Sequence, residues 1–145
     1  MRMKPYTIIL IVILMVSSSS CTNSKNKIKT GNDHISKIEM EKGERIYRAK
    51  CMNCHRKDGK GHIGTYPPLA NSDFLKKKLG KAIQMVKYGN NDPIKVNGVK
   101  YQAYMPASGL NDQDIQLVIN YILNSWGNQM GSVDLETIKS IKEKR

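Results

Sequence analysis

The sequence lacks internal repeats, so solenoid and propeller architectures are excluded and one domain is expected for its 145 residues. It also lacks an apolar run of about 20 residues, the length that a membrane-spanning helix needs. Acidic residues are scarce, at 12 against 24 lysines and arginines, which gives a formal net charge of +12. Such a charge favours acidic partners, anionic headgroups or nucleic acid.

The longest apolar run lies at the N-terminus and has the layout of a secretory signal. The run extends from Tyr6 to Val16. Arg2 and Lys4 precede it, four serines follow it, and Cys21 comes next. A basic start, about 7–15 apolar residues and a small-residue exit define such signals. We therefore predict a signal peptide at 1–20 and a flexible polar tether at 21–35. An uncleaved N-terminal anchor is the alternative, and export makes nucleic acid an improbable partner.

Cysteine is scarce as well, with only Cys21, Cys51 and Cys54. An odd number in an exported chain leaves one thiol to explain. Cys21 resembles the lipidated cysteine of bacterial lipoproteins, which becomes the first residue of the mature protein. Ser18 departs from that pattern, since an apolar residue such as Leu usually stands three places before the cysteine. Cleavage after Ser20, which would leave a free thiol, is the alternative.

The other two cysteines belong to the run Cys51-Met52-Asn53-Cys54-His55. Two such thiols can form thioethers with the two vinyl groups of one haem, and the histidine then ligates the iron. A zinc site usually needs separated ligand pairs, and no second pair is present. A dithiol oxidoreductase needs a βαβ setting, against which the helical flanks argue. The run therefore predicts one covalent haem c with His55 as an iron ligand.

The sixth position of a haem iron distinguishes a carrier from a catalyst. The candidate side chains are His34, Met40, Met52, His62, Met85, Met105 and Met130. Met105 differs from the others because it follows a predicted hairpin, precedes Pro106 and lies just before the last helix. Proline stiffens the loop that presents the sulfur. We predict Met105 as the distal ligand, with Met85 or His62 as the replacement if that is wrong.

The periodicity of apolar residues predicts a mostly α-helical domain at 36–131. Helices are expected from Ser36 to about Cys51, from Leu79 to Lys87 after a short turn, and from the cap Asn111 to Gly127. Apolar alternation around Asn97-Gly98 predicts a small β-hairpin with a type I′ turn over residues 94–101. Residues 132–145 are predicted to be a charged tail, either a short helix or a frayed end.

These features resemble a class I cytochrome c over about residues 39–127. The resemblance implies that Gly43 and Tyr47 of the first helix pack against Val118 and Tyr121 of the last. It also implies that the carbonyl of Pro67 hydrogen-bonds the proximal histidine, which raises ligand basicity.

In the same resemblance Leu69 packs on the haem. An apolar shell of Leu69, Ile83, Val86 and Val118 is expected to favour ferrous iron. The run from Val96 to Pro106 is similar to bacterial cytochromes that serve respiratory oxidases, nitrite reductases or dehydrogenases.

The expected function is that of a mono-haem, one-electron carrier in an extracytoplasmic, periplasmic respiratory chain. It implies a protein donor and acceptor, a membrane anchor at Cys21, no catalytic residue and no small-molecule substrate. One alternative is a haem subunit of, or dedicated donor to, a larger respiratory oxidase, reductase or dehydrogenase. Another is a haem enzyme or gas sensor whose sixth ligand can be displaced.

Overall fold

The computed structural model describes residues 35–143. The predicted signal peptide and Cys21, together with nearly all of the predicted tether, lie outside these residues. The described elements are α1 (Lys37–Lys50), α2 (Met52–His55), α3 (Asp73–Tyr88), β1 (Ile94–Val96), β2 (Val99–Tyr101), α4 (Asp112–Leu123) and α5 (Leu135–Ser140). The predicted class, mostly helical with one small antiparallel hairpin, is confirmed.

The first helix starts at the predicted cap and packs against α4. The Ser36 hydroxyl accepts a hydrogen bond from the Glu39 amide, and the Glu39 carboxylate accepts one from the Ser36 amide at 2.9 Å. Such reciprocal capping satisfies amides that have no partner within the helix. Gly43 lies where α1 meets α4, and a side chain there would overlap the Leu117 backbone and the Cβ of Tyr121. The glycine is therefore required by the close approach of the two helices.

The third and fourth helices differ in extent from the prediction. In α3 the predicted short turn and the following helix are joined across a kink at Lys78, whose φ is −137° and ψ is 40°. Helix α4 begins after the Asn111 cap as predicted but ends at Leu123 rather than Gly127. The Asn124 amide group explains the early end, since it donates to the backbone oxygens of Asn120 and Gly131 and turns the chain back.

The predicted hairpin is confirmed, with Ile94 opposite Tyr101 and Val96 opposite Val99. Both central turn residues have positive φ, as a type I′ turn requires. We call this pair of strands the ribbon. Two reciprocal hydrogen bonds hold its turn to the start of α3: the Asn97 amide donates to the Asp73 carboxylate at 2.7 Å, and the Asp73 amide donates to the Asn97 side chain at 2.9 Å.

The folded part of the described chain continues past residue 131, the predicted end of the domain. Val133 and Ile138 are 4% and 0% exposed and pack with Ile83 and Ile115 in the core. The side chain of Asn120 pairs with both backbone groups of Val133, at 2.8 and 3.1 Å. Although most of this segment is charged or polar, its apolar residues Val133 and Ile138 are buried. The segment therefore forms a short helix that packs on the core.

The packing of α5 leads to a stability prediction. Replacing Ile138 by alanine should lower the free energy of unfolding by about 2–5 kcal/mol, the usual cost of removing a buried aliphatic side chain. Denaturant unfolding of the holoprotein, followed by far-ultraviolet circular dichroism, measures this loss. Lys139→Ala on the exposed face of the same helix is the control and should stay within about 0.5 kcal/mol of wild type. Equal stabilities of the two variants would contradict the packing of α5.

Candidate functional site

The Cys-x-x-Cys-His run forms the corner where α1 turns into α2. The Cys51 amide still donates to the Tyr47 carbonyl at 2.8 Å, and the single turn of α2 then carries the chain to His55. Cys51 and Cys54 are both free thiols and partly buried. Burial, followed by the charge of Cys54, raises the pKa of Cys51 to about 11. The thiol of Cys51 is therefore protonated at neutral pH.

The ring of His55 has a defined orientation and proton position. Its Nδ1 lies 2.9 Å from the Pro67 carbonyl oxygen, which can only accept, so Nδ1 carries the proton and Nε2 keeps a lone pair. Burial lowers the pKa of His55, and the hydrogen bond to Pro67 opposes this in part. The side chain is 8% exposed. A buried, neutral imidazole with a free Nε2 is the form that binds a metal ion.

The loop that carries the Pro67 carbonyl is held by residues that the sequence analysis did not single out. Gly61 has a φ of +63°, and a side chain there would overlap the backbone oxygens of Tyr66 and Pro67. Asn128 is 4% exposed and donates to the Leu69 carbonyl at 3.0 Å and to Ile122 at 2.8 Å. Because Gly61 has no side chain, the chain can pass close to the backbone oxygens of Tyr66 and Pro67. The hydrogen bonds of Asn128 join the loop to α4.

A cavity with almost entirely apolar walls opens beside His55. It is lined mainly by Cys51, His55, Pro67, Leu69, Phe74, Leu75, Met85, Val86, Val96, Met105, Ile119 and Ile122. A second cavity adds Cys54, Tyr101 and Tyr104 and shares several lining residues with the first, including His55, Pro67 and Met105. All six predicted haem-site residues of the described chain thus line one or both of these two cavities.

Met105 is presented by a loop with a defined backbone. Its amide and carbonyl pair with those of Asn90 at 2.9 and 2.8 Å, in an isolated antiparallel bridge. Gly89, with a φ of +80°, passes so close that a side chain there would lie 2.8 Å from the Met105 oxygen. These contacts hold Met105 at the cavity wall.

The other described candidates for the sixth position lie in different surroundings. Met85 lines both cavities from α3, and it also packs with Val96 and Tyr101. His62 is exposed, and Met130 packs among the core side chains. Met40 and Met52 lie on α1 and α2, and His34 is outside the described residues. Met85 is therefore the nearest alternative to Met105.

The predicted apolar shell needs a correction. Leu69 and Val86 line the cavity, whereas Ile83 and Val118 do not, although all four belong to the packed clusters between the helices. Their places in the cavity wall are taken by Ile119 and Ile122, the neighbouring apolar positions of α4. The periodicity of apolar residues identifies the buried side of a helix. It does not show which of those buried residues line the cavity and which contact only other helices.

Two buried tyrosines differ in the hydrogen bonds of their hydroxyls, and this difference bears on the fit of the cavity for haem. Tyr47 and Tyr101 are 1% and 4% exposed. The Tyr47 hydroxyl donates to the Arg56 carbonyl at 2.6 Å, whereas the Tyr101 hydroxyl has no partner within residues 35–143 and is not sealed inside the protein. Tyr101 also lines the second cavity. Haem combines an apolar ring with carboxylates that accept hydrogen bonds, and this cavity combines apolar walls with an unused donor.

Comparisons with known proteins agree with this geometry. The family model for cytochrome c matches residues 40–126. Cytochrome c-552 of Thermus thermophilus is 37% identical over 91 residues, which cover 59% of this chain and 69% of the relative. The fructose dehydrogenase cytochrome subunit of Gluconobacter japonicus is 29% identical over 69% of this chain but only 22% of its own length.

A similar partial match is the gluconate 2-dehydrogenase cytochrome c subunit of Pantoea cypripedii, 28% identical over 78% of this chain and 27% of its own length. The chain thus spans about a quarter of the dehydrogenase subunits that it matches. The chain belongs to the cytochrome c family, and with it comes covalently bound haem c with iron. It is accordingly a haem protein of electron transport. No helix of the described residues is long and apolar enough to cross a membrane.

Proposed function

We propose that this protein is a mono-haem, one-electron carrier that works outside the cytoplasm between two protein partners and is not itself an enzyme. In this proposal Cys51 and Cys54 hold the haem, and His55 and Met105 ligate its iron. The observation that carries the proposal is that His55, with a buried and neutral imidazole, and Met105 line both of two cavities whose walls also contain the free thiols Cys51 and Cys54. No acid, base or nucleophile is assigned.

Haem c supplies a reversible one-electron change of its iron, and the protein residues set the conditions for it. The Pro67 carbonyl accepts a hydrogen bond from the Nδ1–H group of His55, which fixes the ring and leaves the lone pair of Nε2 free to ligate the iron. The Asn90 bridge holds the Met105 backbone, so the sulfur stays in place while the charge changes. Phe74, Val96 and Ile119 exclude water from the cavity, which disfavours the form with the extra positive charge. A thioether ligand also favours ferrous iron.

The proposal is tested by spectroscopy and voltammetry on the purified holoprotein. A carrier should give a low-spin spectrum with the weak red band of methionine–iron bonding, a single reversible one-electron wave, and no carbon monoxide adduct of the ferrous form. High-spin features or ready binding of carbon monoxide would instead favour the haem enzyme or gas sensor.

A second candidate function is that of a haem subunit of, or a dedicated electron-transfer partner of, a dehydrogenase. The observation in its favour is the set of relatives that are cytochrome subunits of fructose, alcohol and gluconate dehydrogenases. This chain corresponds to only part of each of these cytochrome subunits. Reduction of the ferric holoprotein by a purified sugar or alcohol dehydrogenase, with turnover of its substrate, would support this candidate.

We also propose that Cys21 carries lipid and anchors the protein to a membrane. Cys21 lies outside the described residues, so the proposal depends on its place after the signal-like run and before a polar segment. One acyl chain binds a membrane only marginally, and two or more give stable anchoring. A flexible tether of 15 residues would then give the domain a reach of roughly 20 Å.

Replacing Cys21 by serine is expected to release the mature protein from the membrane fraction and leave its haem spectrum unchanged. Mass spectrometry of the wild-type N-terminus should show a diacylglyceryl group on Cys21. Ser20→Ala is the matched control and should keep the lipid. An unmodified mature N-terminus, or an intact Met1, would show that Cys21 is not the anchor.

A further inference from the structure

The C-terminal end of α3 contacts the chain segment that begins with Met105. We call residues 105–112, which run from Met105 to the first residue of α4, the ligand loop. At its start, Met105 exchanges two backbone hydrogen bonds with Asn90, at 2.8 and 2.9 Å, just after α3 ends. Further along, the Ser108 amide donates to the Val86 carbonyl at 3.0 Å. One short stretch of chain therefore contacts the ligand loop at two points.

A lysine of the same stretch makes a third contact, at the far end of the ligand loop. The Lys87 ammonium lies 2.8 Å from a carboxylate oxygen of Asp112, the last residue of the loop. The side chains of Lys87 and Asp112 are 11% and 36% exposed. In the other ion pairs of residues 35–143, both partners are at least 41% exposed. Lys87 is therefore the one cation of these pairs that is largely withdrawn from water.

The segment after α4 contributes to the position of Lys87. Three side chains near the end of α3 donate to backbone oxygens in or after the last turn of α5. They are Lys87 to Ile138 at 3.0 Å, Tyr88 to Ile141 at 3.2 Å and Gln84 to Lys142 at 2.7 Å. The C-terminal segment therefore supplies Lys87 with an acceptor and covers this end of α3.

The ion pair of Lys87 needs a reason beyond stability. Withdrawing an ammonium group from water is costly, so a buried ion pair is weak evidence for added stability and can serve instead to fix one arrangement of the chain. Here the pair joins the end of α3 to the start of α4, and the ligand loop runs between the same two elements. If the two elements separated, the loop would lose the support that holds Met105.

We propose that Lys87 is a positioning residue for the distal ligand. Its ion pair with Asp112 keeps the ligand loop on α3 and so slows the release of Met105 from the iron. This proposal rests on the proposed carrier function, in which Met105 ligates the iron. Lys87 acts through the loop, since it lines neither of the cavities that Met105 lines.

Displacement of the methionine ligand by imidazole tests the proposal. Ferric holoprotein is mixed with imidazole in a stopped-flow instrument, and the loss of the weak red band is followed. At saturating imidazole the observed rate is the rate at which Met105 leaves the iron. Lys87→Met keeps an unbranched side chain but removes the charge, and it should raise this rate roughly tenfold, as the loss of one hydrogen bond between charged groups would.

Lys77→Met is the matched control, because Lys77 belongs to the same helix and has an exposed ion pair with Asp73. It should leave the rate within about twofold of wild type, since exposed pairs contribute little. Asp112→Asn removes the other partner of Lys87 and should raise the rate as Lys87→Met does. It also keeps the proposal testable if Lys87→Met yields no holoprotein, because Asp112 is the more exposed partner.

Ser36→Ala separates positioning from a general loss of stability. It removes the cap of α1, at a residue that lines neither cavity. It should lower the urea midpoint of unfolding and leave the imidazole rate unchanged. A wild-type rate in Lys87→Met and Asp112→Asn, or an equal rise in Ser36→Ala, would overturn the proposal. A wild-type holoprotein without the red band would instead contradict methionine ligation in the proposed carrier, and with it this role of Lys87.

Discussion

Alanine at Cys51 or at Cys54 is expected to lower the yield of covalent holoprotein severalfold or more. The two thiols lie at opposite ends of one helical turn, so each variant leaves the haem with a single attachment. Cys51 also packs with the core cluster around Tyr47 and Leu75. Apoprotein would expose the apolar walls of the cavity, and a small domain with little other core is readily degraded when destabilised.

Denaturing gels stained for haem measure the covalent holoprotein in each variant. Asn53→Ala is the matched control, because Asn53 is exposed between the two cysteines and both thiols remain. It should give wild-type amounts of covalent haem. Wild-type amounts in both cysteine variants would be incompatible with thioether attachment at these positions.

The features that could be predicted from the sequence depend on short stretches of chain. The capping box at Ser36 needs only Glu39, three residues on, and the type I′ turn needs only Asn97 and Gly98. The haem-binding run occupies five consecutive residues beginning at Cys51. In each case the residues that determine the geometry are close together in the sequence, so the sequence alone is enough to predict the feature.

The features that were missed depend on partners far apart in the chain. Asn128 supports the loop around Pro67 by donating to Leu69, 59 residues earlier. The Trp126 indole donates to the Lys57 carbonyl, 69 residues earlier. A single polar residue after a helix carries no local sign of such a contact, and the same holds for the unused hydroxyl of Tyr101. These residues shape the site, and only the folded chain identifies them.

The case for Met105 as the distal ligand depends both on neighbouring residues in the sequence and on contacts that only the folded chain shows. Pro106 suggested a stiff loop, and the structure adds the Asn90 bridge and the close passage of Gly89. These contacts restrain the backbone of Met105, whereas Met85 is restrained by its helix and by packing with Tyr101. Both sulfurs belong to residues that line the cavity, so the choice between them needs an experiment.

Replacing Met105 by alanine is expected to leave the haem covalently attached but to remove its methionine ligand. The weak red band should disappear, and the ferric form should become high-spin or acquire a different ligand. The reduction potential should fall by on the order of 0.2 V, a fraction of the roughly 0.8 V range that axial ligands span, because a thioether favours ferrous iron. Visible spectra and voltammetry of the purified variant measure both changes.

Met85→Leu is the control for the loss of a buried methionine and should keep the red band, since leucine conserves the volume. If the red band instead persisted in Met105→Ala and vanished in Met85→Leu, Met85 would be the ligand and Met105 part of the cavity wall.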